Sequence, residues 1–365
     1  MTLDKIPVSV LGATGAVGQR FVSLLEGHPW FEVVSVTGSE RSQGSLYGEV
    51  VHWVVPGEVP ARVSRLVVRS TDDPGEASLV FSALPSNVAA EIEPILAGRG
   101  YVVCSNASAL RMQPDVPLLI PEINPDHLAV IEAQRRRAGY EGLIVTSPNC
   151  AVSAIIFPLA ALHAAFGLSR VHAVTMQAIS GAGYPGVPAS DIQDNVIPFI
   201  DGEEDKIENE PRKLLGTVGD GEIVPASFVV SAQAHRVPVS DGHLAAFSVE
   251  LERKVSLDEV RAALESFRAP TEVAELPSAP ARPLVFHDEV DRPQPRRDRD
   301  EQDGMAVAVG RLNPCPVLDY KMVALGHNTL RGAASGAILN AELLVSTGYL
   351  EGRGEHAAVE ARAGD

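Results

Sequence analysis

Residues 8–25, VSVLGATGAVGQRFVSLL, limit the fold more than any other stretch of the chain. The apolar run 8–11 reads as a buried strand. Gly12, Gly15 and Gly18 follow, and Phe21, Leu24 and Leu25 then recur at helical spacing. A strand that passes through a glycine turn into a helix opens a βαβ unit. Glycine permits the tight turn and a close backbone approach to a pyrophosphate, while the helix N-terminus offers N–H donors and a partial positive charge. Spaced glycines are common by themselves; their place at a strand end is what points to dinucleotide binding.

The pattern continues. FEVVSVTG, ASLVFSAL and YVVCSN read as strands and EIEPILAGRG as a helix, so residues 1–150 predict a parallel sheet covered on both faces. Beyond residue 150 the runs VHAVTMQAIS, ASFVVSAQAHRVPV and HLAAFSVELE predict a second unit on a mixed or antiparallel sheet. APTEVAELPSAPARP and DRPQPRRDRDE, rich in proline or charge, predict exposed connections with a solvated surface. RGAASGAILNAELLV predicts a final amphipathic helix, and residues 352–365 a frayed tail.

Composition narrows the function. With 30 basic and 47 acidic residues the net charge is −17, which repels polyanions and argues against nucleic-acid or anionic-membrane binding. Cys104, Cys150 and Cys315 are too few and too scattered for a disulfide framework or a zinc site, so no metal is expected and a reducing compartment is. The N-terminus enters a strand at once, without room for a signal peptide. The apolar stretch 151–168 is interrupted by Pro158 and His163, so it predicts a buried helix and a soluble, cytoplasmic protein.

Two further motifs carry chemistry. In TGSERSQG, after the second strand, Ser39 and Ser42 offer hydroxyls and Arg41 a partner for a 2′-phosphate, favouring NADP over NAD; Glu40 argues the other way. In SPNCAV, Cys150 precedes an apolar helix whose N-terminus would stabilise a thiolate, and the Asn149 amide could donate to an oxyanion. HRVPVSDGHL offers His235 and His243 as a base, with Arg236 nearby. A packed core thiol and structural histidines stay open as alternatives.

The segments LGATGAVGQRFV, GSERSQG, SNASALRM, VPLLIPEIN, SPNC, MQAISGAGYPGVP, DNVIPFI, EEDKIENEPRKLLG, HRVPVSDGH, DRPQPRRDRD and HNTLRGAASG, in this order, resemble the aspartate-semialdehyde dehydrogenases of archaeal and fungal type over nearly the whole length. The resemblance implies an α/β Rossmann-type domain at 1–150, completed by a C-terminal helix 328–350, and an α+β catalytic and dimerisation domain with a mixed sheet at 151–327. It implies Cys150 as nucleophile, His243 as acid/base, Gln177 as orienting group, and Arg236 as the grip on the substrate carboxylate. Glu210 and Lys213 match the family's Glu-x-x-Lys, for the substrate amine and for phosphate, and Arg111 a phosphate-side arginine. For NADP it implies Gly12, Ala13, Thr14, Gly15, Ala16 and Val17, then Ser39, Arg41, Ser42, Ser82 and Leu84, with Ser180, Gly181 and Asn328 near the nicotinamide.

The implied reaction converts L-aspartyl 4-phosphate and NADPH to L-aspartate 4-semialdehyde, phosphate and NADP through a cysteine thioester, toward lysine, threonine, methionine and isoleucine. A homodimer or homotetramer is expected. Two alternatives share parts of this pattern: a malonyl-CoA reductase-like enzyme, disfavoured by Glu210 and Lys213, and a non-catalytic NADP sensor, disfavoured by a nucleophile and a base in one chain.

Overall fold

The computed structural model describes residues 5–350. Its first sheet is wholly parallel, in the order β3-β2-β1-β4-β5-β6, from β1 (Ile6–Leu11), β2 (Phe31–Thr37), β3 (Val68–Arg69), β4 (Leu79–Ser82), β5 (Val102–Ser105) and β6 (Leu143–Thr146). β4, β5 and β6 are buried at every position, as strands covered on both faces must be. The two-residue β3 carries too little pattern to stand out in the sequence.

The chain builds outward from β1 to β3, then crosses back to add β4 beside β1. That reversal opens a crevice beyond the carboxyl ends of β1 and β4, the place where open α/β sheets bind ligands. The glycine turn sits there. Gly12 has φ +69°, and a Cβ on it would stand 3.0 Å from the Ala83 carbonyl oxygen. A Cβ on Gly18 would fall 2.3 Å from the Gly12 carbonyl oxygen, so helix Ala16–Leu25 leaves the turn so closely only with glycine there.

A two-stranded hairpin, β8 (Thr217–Gly219) and β9 (Glu222–Val224), precedes most of the second sheet. That sheet has the order β10-β7-β11-β14-β13-β12, from β7 (Leu168–Gln177), β10 (Val229–Arg236), β11 (His243–Leu251), β12 (Leu284–His287), β13 (Val307–Pro314) and β14 (Tyr320–Gly326). It is mixed: β7 pairs parallel with β10 and antiparallel with β11. Burial alternates strictly along β11, so one face enters the core and the other is half-exposed. The core face packs on helix Cys150–Phe166, which is buried from Ala151 to Leu162. This explains its membrane-like hydropathy; among the described residues no helix is long and apolar enough to cross a membrane.

Three expectations are corrected. Residues 269–283 are not a free arm: Val273 and Leu276 enter the core of the first sheet. The charged run after residue 290 is not all solvated. Asp298 is 1 % exposed, paired with Arg292 and accepting the Gln294 N–H. His287, Asp298 and Glu301 bring possible metal ligands within 4.8 Å of one another, but Arg292 already pairs with that cluster's buried carboxylate. The final helix, Ser335–Ser346 after a π turn Leu330–Ala334, is buried on nearly every side rather than amphipathic, and packs with the first sheet. The tail 352–365 lies outside the described residues.

Candidate active site

Cys150 is the first residue of its helix, and Asn149 caps it: Oδ1 accepts from the N–H groups of Ala151 (2.8 Å) and Val152 (3.3 Å). The Cys150 N–H belongs to the first turn, whose donors lack intrahelical partners. Cys150 Sγ lies 3.3 Å from His243 Nε2. His243 opens β11 and is 1 % exposed; its Nδ1 accepts the Ala178 N–H at 3.1 Å. That bond places the imidazole proton on Nε2, facing the sulfur. Burial, then Arg236 and His327, pushes His243 down to about 3, so it is a neutral donor at neutral pH.

The surroundings of Cys150 act against a standing thiolate. Burial, then Glu203, pushes the Cys150 thiol up to about 12, against opposing pulls from Arg111, Arg236 and Lys206.

The sulfur lines a cavity of about 570 Å³ at the crevice between the two sheets. Ala16, Val17 and Leu84 line it from the first sheet, and Ser180, Gly181 and Asn328 from the second. Asn328 Nδ2 donates to Ser180 Oγ at 2.8 Å, and its Oδ1 accepts the Gly242 N–H at 2.8 Å. Gly181 lies against Arg236 and His243: a Cβ there would meet Arg236 Nη1 at 2.8 Å and His243 Nε2 at 2.9 Å. Gln177 and Arg236, partners in the β7–β10 register, end their strands buried behind this wall and do not line the cavity. Arg236 Nη1 donates to the Ala178 carbonyl at 2.7 Å, and Gln177 Nε2 to Glu203 Oε2 at 3.1 Å.

Several expected residues play other parts. The Asn149 amide donates to both oxygens of Glu203 (2.9 and 3.0 Å), so it is engaged and not turned to an oxyanion. Glu210 and Lys213 do not line the cavity; Glu203 and Lys206, paired at 2.9 Å, do. The reason is arithmetic. Helix Glu203–Leu214 carries Glu-x-x-Lys twice, seven residues or two turns apart, so both copies share a face and spacing alone cannot choose between them. Burial by itself would raise Glu203, yet Lys206, Asn149 and Gln177 hold it below the ordinary carboxylate value. Arg111 does line the cavity, donating to Glu210 Oε1 at 2.9 Å and to the Asn106 carbonyl at 2.7 Å.

The nucleotide-side residues divide similarly. Ala16 and Val17 present first-turn N–H groups at the cavity, and Thr14 and Gly15 complete the turn. Ala13 is fully buried, its N–H donating to the Thr37 carbonyl and its own carbonyl accepting from Tyr47 Oη, so it shapes the turn. Ser39 and Arg41 are exposed beyond β2, while Ser42 Oγ folds back onto the Ser39 carbonyl at 3.0 Å. Ser82 is buried within β4 and does not line the cavity. The donor-rich first turn and the glycines that clear space before it fit a dinucleotide.

The sequence reading missed Gly332. It lines the cavity, and a Cβ there would stand 2.8 Å from Cys150 Cβ and 2.9 Å from its Cα. Its neighbour Arg331 is fixed by Glu122 at 2.7 Å and lies over the Phe157 ring at 4.4 Å.

Comparison with known proteins follows the same outline. The semialdehyde dehydrogenase NAD binding domain matches residues 7–131, and the semialdehyde dehydrogenase dimerisation domain residues 159–331. An aspartate-semialdehyde dehydrogenase of Methanothermobacter thermautotrophicus is 50% identical over 93% of this chain and 99% of its own length. The chain belongs to the aspartate-semialdehyde dehydrogenase family. The family's member in Cryptococcus neoformans is 46% identical over 95% of this chain and 99% of its own. A crystal structure of aspartate-semialdehyde dehydrogenase with NADP from Candida albicans superposes with a TM-score of 0.87, at 38% identity over 95% of this chain and all of that one. As a member of the aspartate-semialdehyde dehydrogenase family, the chain is an oxidoreductase.

Proposed function

We propose that this protein catalyses the NADP-dependent, phosphorylating interconversion of L-aspartate 4-semialdehyde and L-aspartyl 4-phosphate through an acyl-thioester on Cys150. The observation that carries the reading is the 3.3 Å approach of His243 Nε2 to the Cys150 sulfur, which lines the cavity shared by the two sheets. NADP binding is supported by the glycine turn, by exposed Ser39 and Arg41 beyond β2, and by the NADP-bound relative from Candida albicans.

In the reductive direction the Cys150 sulfur attacks the acyl carbon, the C–S bond forms as the bond to phosphate oxygen breaks, and the thiol proton leaves with the phosphate. NADPH, when bound, would supply a hydride to the thioester carbon; collapse of the resulting thiohemiacetal breaks the C–S bond, frees the semialdehyde and returns a proton to the sulfur. Arg111, Arg236 and Lys206 favour the ionised sulfur, and Glu203 opposes it. His243 holds its proton at Nε2, positioned to donate to the oxygen that carries charge at each tetrahedral stage. Arg236 meets the substrate carboxylate, and Arg111 stands on the phosphate side. Glu203, in place of Glu210, faces the substrate amine, and Lys206, in place of Lys213, the phosphate. Gln177 holds Glu203 in place.

The division into a nucleotide-binding unit, 1–150 closed by helix 328–350, and a catalytic and dimerisation unit, 151–327, belongs to this reading. So do a homodimer or homotetramer in the cytoplasm and a place in the synthesis of lysine, threonine, methionine and isoleucine. The half-exposed outer face of the second sheet, with Val174, Ala246 and Val323, supports assembly.

The test is phosphate-dependent oxidation of L-aspartate 4-semialdehyde with NADP and NAD side by side, repeated on Cys150→Ser. The expected result is turnover with NADP that vanishes in the variant while NADP still binds. Turnover that survives the variant, or activity only with malonyl-CoA, would overturn the proposal.

A further inference from the structure

We propose that Glu210 and Lys213 are positioning residues for Arg111, holding its side chain and its backbone separately and tying both to the cap of Cys150. Glu210 is 2 % exposed, and each of its oxygens has one partner. Oε1 accepts from Arg111 Nη1 at 2.9 Å, and Oε2 accepts the Asn149 backbone N–H at 2.6 Å. One carboxylate therefore spans from the arginine in the cavity wall to the residue that precedes the nucleophile.

Lys213, 1 % exposed and one turn further along the same helix, holds the main chain of that arginine. Its Nζ donates to the carbonyls of Arg111 (2.6 Å), Gln113 (2.5 Å) and Val116 (2.7 Å). Three carbonyls match the three N–H groups of an ammonium, so this lysine has no donor left for a substrate. Arg111 is thus gripped at both ends. Its Nη2 goes to the Asn106 carbonyl at 2.7 Å, while Nε is buried and has no partner among the described residues. Glu210 and Asn106 take one N–H each from Nη1 and Nη2, and the second N–H on each of these nitrogens is left for an incoming oxyanion. The two Glu-x-x-Lys copies then divide the work: the first faces the cavity, and the second fixes the arginine opposite.

This inference rests on the reading of Arg111 as a phosphate-side residue, and the experiment separates the two. Steady-state kinetics in the oxidative direction, with inorganic phosphate varied, are measured for Arg111→Lys, Glu210→Gln and the double variant. We expect Glu210→Gln to raise the KM for phosphate about tenfold or more, with the KM for NADP unchanged within about twofold. In the Arg111→Lys background the same change should add less than about twofold, because the group it positions is already altered. An unchanged phosphate KM in Arg111→Lys defeats the underlying reading, and the positioning role with it. A raised value there beside an unchanged value in Glu210→Gln defeats the positioning role alone. So does an equal rise in both KM values, or full additivity in the double variant. Should Glu210→Gln fail to fold, Lys213→Gln releases the backbone end of the same arginine. Phosphate KM rising alone then supports the inference, and both constants rising together overturns it.

Discussion

Replacing Gly332 with alanine tests how the nucleophile is held. The added Cβ would stand 2.8 Å from Cys150 Cβ and 2.9 Å from its Cα. Non-bonded carbons rest at about 3.5–4.0 Å, so one side must retreat by roughly 1 Å. Neither yields easily. The Cys150 helix is buried along most of its length, and Arg331, beside Gly332, is fixed by Glu122 and Phe157. Overpacking of this kind costs about 1–3 kcal/mol of stability. A displacement of about 1 Å at a reacting centre costs on the order of 10²-fold in rate, or about 2.7 kcal/mol on the barrier. Gly332→Ala should therefore fold, bind NADP with an unchanged Kd, and turn over about 100-fold more slowly. Gly98→Ala is the control: it ends helix Ser86–Gly98, and its Cβ would meet nothing within 4 Å. Alanine there should be neutral or stabilising by up to about 1 kcal/mol. Kinetics, nucleotide titration and thermal melting of the three proteins provide the comparison. A Gly332→Ala enzyme with parental kcat and Tm would refute the idea that this contact fixes the sulfur.

The raised Cys150 thiol predicts that iodoacetamide inactivation of the nucleotide-free protein climbs with pH above 7 without levelling off before about 10; a plateau near neutrality would show a thiolate already present. Because Glu203 is the charge that raises the thiol, Glu203→Gln should speed alkylation at fixed pH while raising the KM for the semialdehyde, and slower alkylation would contradict the assignment. An aspartate at Val174 or Ala246, on the outer face of the second sheet, should shift the protein to monomer by size exclusion with light scattering; an unchanged mass would remove that face from the interface.

Legibility in the sequence followed the range of the interaction concerned. The β1–turn–helix unit and the alternation of β11 are local patterns, and the sequence displays them directly. Cys150 and His243 were also visible, by motif, although they lie 93 residues apart. The missed features all depend on what sits opposite. Gly332 matters only because Cys150 lies beneath it, and Asn149 Nδ2 is engaged only because Glu203 faces it. The repeated Glu-x-x-Lys is ambiguous until the neighbours of each copy are known. Asp298, in a run that reads as pure surface, turns inward to an arginine six positions away.

The helix Ser335–Ser346 supplies Ala337, Ile338, Leu339, Ala341, Leu343 and Leu344 to the same core as β1 and β2, strands made long before it. On a ribosome adding about 5–20 residues per second, the interval between β6 and that helix, roughly 190 residues, lasts on the order of 10–40 s. During that wait the half-built sheet has no cover for one greasy flank. A stop codon ahead of residue 335 would therefore strip the first sheet of part of its core, far from the point of truncation.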